Sequence, residues 1–68
     1  MPRGYHSREV IRMLEKHGFV LKSVKGSHHK YTKGVRRVIV PHPKKDLRFG
    51  TLMSILDHAG LSLKDLEG

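Results

Sequence analysis

Six histidines stand in a chain of 68 residues, and imidazole is the side chain whose ordinary pKa lies closest to neutrality, so each could move a proton at physiological pH. Three have a simpler use. His17 and His58 directly precede Gly18 and Gly60 at the ends of two helix-like stretches, where a cation is favoured by the helix dipole, and His6 lies in a terminal segment. His28, His29 and His42 remain. In Gly26-Ser27-His28-His29-Lys30 a glycine turn lets backbone approach a ligand and delivers an imidazole at the start of a strand. Strand alternation separates the two neighbours. With Tyr31 as the inward residue, His29 falls on its side, and His28, Lys30 and Thr32 fall on the other. The plainer reading of the same residues is a turn followed by polar edge-strand positions.

An imidazole beside cations is sufficient chemistry for cutting RNA. A general base removes the ribose 2′-hydroxyl proton, the oxygen attacks the adjacent phosphorus, and Lys or Arg neutralises the charge that grows on the phosphate. DNA lacks that hydroxyl. On this reading His28 is the catalytic candidate, and Lys25, Gly26, Ser27, Lys30 and Arg37 are the candidate RNA contacts. No metal or other cofactor is expected. Magnesium-dependent nucleases need clustered carboxylates, whereas Glu9, Glu15, Asp46, Asp57, Asp65 and Glu67 are scattered. A zinc site at His28, His29 and His42 is disfavoured, because adjacent strand residues point to opposite faces and the chain has no cysteine. Gly26 and Gly34 are isolated glycines, so no phosphate-cradling loop is present. The second proton-transfer group stays open between His42 and water.

The elements that must position these residues can be read from periodicity. Ser7 is the expected N-cap of a helix over 7–17, with Glu9 at its positive end, Val10, Ile11 and Leu14 on its apolar side and Gly18 as its stop. Residues 19–25 are rich in β-formers, but their apolar positions fall on both parities. Gly26-Ser27 turns the chain into a strand over 28–32. Lys33-Gly34 turns it again into a strand over 35–40, with Val38 and Val40 inward and Pro41 as its end. Thr51 is the expected cap of a second helix carrying Leu52, Ile55, Leu56 and Ala59 on one side. Ser62 and Asp65 form a capping box for a last turn, where Leu63 and Leu66 can pack back on the core. The order αβββα implies an α+β fold, a three-stranded antiparallel sheet with two helices on one face and the other face open.

Composition sets the class of partner. Fourteen Lys and Arg against six Asp and Glu give a net charge of +8. The whole excess lies between Lys22 and Arg48, where nine basic residues face Asp46 alone, and charge so concentrated points to a polyanion. A single domain over 1–68, without disulfides and without a run of apolar residues long enough to span a bilayer, suits a soluble, cytoplasmic, monomeric protein.

Four segments in this order resemble the HicA family. They are Ser7-Arg8-Glu9-Val10-Ile11 leading to Leu14-Glu15-Lys16-His17-Gly18-Phe19, then Lys25 to Tyr31 with its Gly-Ser-His-His core, then Val38 to Pro43, then Gly50-Thr51-Leu52 through Gly60-Leu61. The resemblance covers roughly residues 7–67. It implies a fold like the double-stranded-RNA-binding domain, mRNA cleavage that halts translation as the toxin of a toxin-antitoxin pair, and a HicB-type antitoxin as partner. It also implies that the histidine of the Gly-Ser-His turn, here His28, is catalytic. Arg48-Phe49 and the short hairpin at Lys33-Gly34 depart from the family pattern. A noncatalytic RNA-binding module of the same fold, or a ribosomal or assembly protein, is the alternative for the same charge pattern.

Overall fold

The structure, a computed structural model, describes residues 4–67. Helix α1 spans Ser7–Lys16 and buries Val10, Met13 and Leu14, an i, i+3, i+4 set that forms one stripe. Its cap differs from the sequence expectation. His6, in extended conformation, is the N-cap: its Nδ1 accepts from the Arg8 N–H at 3.0 Å, and the Glu9 carboxylate accepts from the His6 N–H at 3.1 Å. Ser7 is instead the first helical residue and wholly buried. Its hydroxyl is drawn away from the helix end by partners in a distant loop.

Strands β1 (Val20–Lys25), β2 (His28–Lys33) and β3 (Arg36–Pro41) form an antiparallel sheet in the order β1-β2-β3. The mixed parity of the first strand has a cause. Leu21 pairs with Tyr31 and Ser23 with Lys30, so Lys22 is an extra residue bulged out of the ladder. The bulge returns Leu21 and Val24 to the same side of the sheet although they are three apart.

The second hairpin is displaced by one residue from expectation. Lys33 pairs with Arg36, so Gly34 and Val35 form the turn, Val35 is almost fully exposed, and the third strand runs through Pro41. Gly34 holds φ at 59°, which makes glycine the first corner of a two-residue turn.

Helix α2 (Phe49–Ala59) begins before Thr51, with Arg48 as N-cap and no side-chain cap bond. Its entry is set by Leu47, which is buried and whose N–H donates to the Tyr5 carbonyl at 2.8 Å. Anchoring by a buried leucine replaces a hydroxyl cap. The short helix α3 (Leu63–Glu67) follows the Ser62–Asp65 cap as expected. The Ser62 N–H donates to Asp65 Oδ2 at 2.8 Å and holds that carboxyl below its ordinary pKa.

Both long helices pack on the side of the sheet that carries Tyr31, Val38 and Val40, and with Phe19, Leu47, Leu52, Ile55, Leu56 and Ala59 they enclose one core. The arrangement is α+β and consistent with the double-stranded-RNA-binding-domain-like αβββα order. The helices cover β3 and the middle of β2, whereas every residue of β1 is exposed.

Candidate active site and nucleic-acid interface

His28 is the first residue of β2, delivered by a turn in which Gly26 sits at φ 60°. Nothing lies within 4 Å of where a Cβ on Gly26 would stand. The glycine therefore serves the backbone angle rather than the space, since L side chains rarely adopt positive φ.

Register assigns the faces. His28 lies opposite Lys25 on one side and Pro41 on the other; Lys30 lies opposite Ser23 and Ile39; Thr32 lies opposite Arg37. Directly opposite side chains share a face with Cβ atoms about 5 Å apart, and residues two apart on a strand share it at about 6.6 Å. Lys25, His28, Lys30 and Arg37 are thus brought together on the open face, with Gly26 and Ser27 at its rim. The three strands contain no acidic residue. A phosphate chain laid along this face meets a cation at each two-residue step from His28.

Not all strand cations belong to that face. Lys33 lies on the helix side, its Nζ 6.0 Å from the Phe19 ring centroid, and Arg36 donates to the His58 carbonyl at 3.3 Å.

His29 points to the helix side, and there the structure gathers a second set. Its ring meets that of His42 edge-on, with centroids 5.0 Å apart and planes at 87°. His42 Nδ1 lies 2.6 Å from Ser7 Oγ. The Lys44 N–H donates to the same oxygen at 2.9 Å, and the Ser7 N–H donates to the Lys44 carbonyl at 2.8 Å. Burial pushes the His42 pKa below its ordinary value, and His29, His6 and Arg8 push it the same way. His29 Nδ1 is buried without a hydrogen-bond partner.

Two features of the structure were not read from the sequence. A groove of about 660 Å³ runs over the β3 edge, where Lys30, Arg37 and Ile39 face Thr51, Ser54 and His58 of α2. Those three helix residues are spaced i, i+3, i+7, a polar stripe visible in the sequence; that it borders the cationic strand edge was not. The tie from Ser7 to residues 42–44 is the other, and it crosses some 35 positions without a local signal. A larger concavity of about 900 Å³ between Tyr5 and residues 43–49 touches none of the predicted site residues. Among the described residues, no three His, Asp or Glu side chains form a set that could hold a metal ion. Nor is any helix there long and apolar enough to cross a membrane.

Comparison with known families finds one whose description is HicA toxin of bacterial toxin-antitoxin, matching residues 7–61. No curated protein matches the chain.

Proposed function

The chain belongs to the HicA toxin family, and from that premise we propose that residues 1–68 act as one cytoplasmic, monomeric RNA-cleaving domain that cuts mRNA without a metal ion. The observation that carries this reading is the placement of His28 on an exposed sheet face beside Lys25 and Lys30, with Arg37 farther along the same face and no carboxylate in the sheet.

In the proposed reaction His28 takes the proton of the ribose 2′-hydroxyl. The O2′–P bond forms and the P–O5′ bond breaks, and the leaving 5′ oxygen takes a proton from water. Products are a 2′,3′-cyclic phosphate on the upstream fragment and a 5′-hydroxyl on the downstream one. Lys25 and Lys30, next to His28, stabilise the charge that develops on the reacting phosphate, and Arg37 holds a phosphate farther along the face. Backbone at Gly26 and Ser27 comes close to the strand, and the groove beside α2 extends its path.

Membership in the family implies an antitoxin partner, and a HicB-type protein with an acidic surface laid over the open face would silence the only site this reading requires. The test of the function is cleavage of an RNA in excess EDTA, followed by analysis of the ends. Cyclic phosphate termini and no cutting of the all-deoxy analogue are expected. Activity lost in EDTA and restored by magnesium would overturn the mechanism.

A further inference from the structure

We propose that Ser7 and His42 are positioning residues for His28, fixing the Gly26–Ser27 turn to the first residue of α1 through two hydrogen bonds made by the ring and the backbone of His42. The catalytic part of this inference rests on the function proposed above; the mechanical part does not.

The line starts in the core. Ser7 is a fully buried polar residue at the very start of α1, a place where an idle hydroxyl would cost stability. It is not idle. Its N–H and its Oγ clamp the backbone of Lys44 from both sides, donating to the carbonyl at 2.8 Å and accepting from the N–H at 2.9 Å. With Lys44 as a donor to the oxygen, the hydroxyl proton is directed to His42 Nδ1 at 2.6 Å. The backbone of the same histidine completes the line, because the His42 N–H donates to the Ser27 carbonyl at 2.7 Å. Ser27 immediately precedes His28. The first residue of the helix thereby reaches the candidate base through two short side-chain and backbone bonds.

This assignment fixes the protonation state that the device requires. The network places the His42 proton on Nε2, which leaves Nδ1 free to accept. If Nδ1 were protonated, both neighbours of Ser7 Oγ would be donors, and the buried hydroxyl proton would lose its acceptor. The charged and titratable groups that His42 feels are His29 on β2, His6 at the cap of α1 and Arg8 on α1. All disfavour a further cation. The His42 side chain points to the helix side, away from the open face, so it acts on His28 through the backbone and not on the substrate.

The test compares the full-length protein with Ser7→Ala, His42→Ala and His42→Asn, the last of which keeps an acceptor near the Nδ1 position. For variants that circular dichroism shows to be folded, kcat is expected to fall roughly ten- to a hundredfold in Ser7→Ala and His42→Ala, as for a catalytic group displaced by about an ångström. KM should stay within a few fold, because the cations of the open face are untouched. His42→Asn should recover most of the lost kcat. A Ser7→Ala protein with unchanged kcat would overturn the proposal.

The wild-type protein supplies a second measurement that needs no variant to fold. In a pH titration followed by NMR, the Ser27 and His28 amides should shift with the same midpoint as the His42 ring. Amides that ignore the His42 titration would equally overturn the proposal. If the amides follow His42 but the wild type cuts no RNA, the mechanical tie stands and the ribonuclease reading falls.

Discussion

His28 and His29 are neighbours in the chain and belong to different parts of the molecule. His28 stands exposed at the head of a cationic sheet face, opposite Lys25 and two residues from Lys30. His29 turns under the sheet and meets a buried network of Ser7, His42 and backbone. The same side chain therefore meets two environments separated by one peptide unit. On the open face an imidazole has solvent, cations and room for a ligand; on the helix side the His29 ring packs edge-on against His42, and its Nδ1 is buried without a hydrogen-bond partner. The sheet sorts the cations likewise: Lys25, Lys30 and Arg37 face out, while Lys33 and Arg36 pack against Phe19 and the end of α2.

The largest expected effect comes from breaking the pair directly. General acid–base groups contribute on the order of 10² to 10⁴ in rate, so His28→Ala should lose that much cleavage and abolish growth arrest with its melting temperature unchanged. His29→Ala should keep its activity at temperatures where it is folded and should show its cost in melting instead. A silent, stable His29→Ala beside a toxic His28→Ala would invert the comparison.

Charge on the open face gives the next effect. Each phosphate contact contributes about 0.7 to the slope of log affinity against log salt for single-stranded RNA. Replacing Lys25, Lys30 and Arg37 together by Ala should therefore lower that slope by about 2. Replacing Lys33 alone should leave it nearly unchanged, because its ammonium is turned to Phe19. Equal slopes for the wild type and the triple variant would show that RNA lies elsewhere.

The smallest effect belongs to the helix side and is read through pH. His42 has a lowered pKa in the folded protein, so the unfolded chain binds more protons and stability rises with pH. The contribution is complete above the unfolded value of about 6.5 and is lost as pH falls from there through the folded value. Melting temperature should drop over that range in the wild type, and the drop should be shallower in His42→Asn. Matching profiles would mean that His42 is not the group responsible.

These contrasts also show which parts of the structure were legible in the sequence. Alternation about Tyr31 was enough to put His28 and Lys30 on one face and His29 on the other, because a strand has a strict two-residue period. The spacing of Val10, Ile11 and Leu14 and of Leu52, Ile55, Leu56 and Ala59 identified the helices for the same kind of reason, although Met13 is buried in α1 where Ile11 is only partly covered. What escaped was non-local or irregular. The bulge at Lys22 broke the period of β1, so its face could not be read until the pairing was known. Ser7 carries the local signature of a helix cap, and only the fold reveals that Lys44 and His42 claim its hydroxyl while His6 caps the helix. The polar stripe Thr51, Ser54 and His58 reads as solvent-facing helix, which it is; its position beside Lys30 and Arg37 follows from packing α2 along β3.

Whether His28 moves the proton is read most plainly from the single-turnover cleavage rate of His28→Ala with and without added free imidazole. Because His28 is exposed at the start of its strand, a small base can reach the space its ring vacates. The variant is expected to bind RNA within a few fold of the wild type, to cut it negligibly alone, and to regain cleavage at the same phosphodiester in proportion to neutral imidazole. A folded, RNA-binding His28→Ala that cuts at the wild-type rate without imidazole, or that stays inert at every imidazole concentration, would place the essential proton transfer on another group.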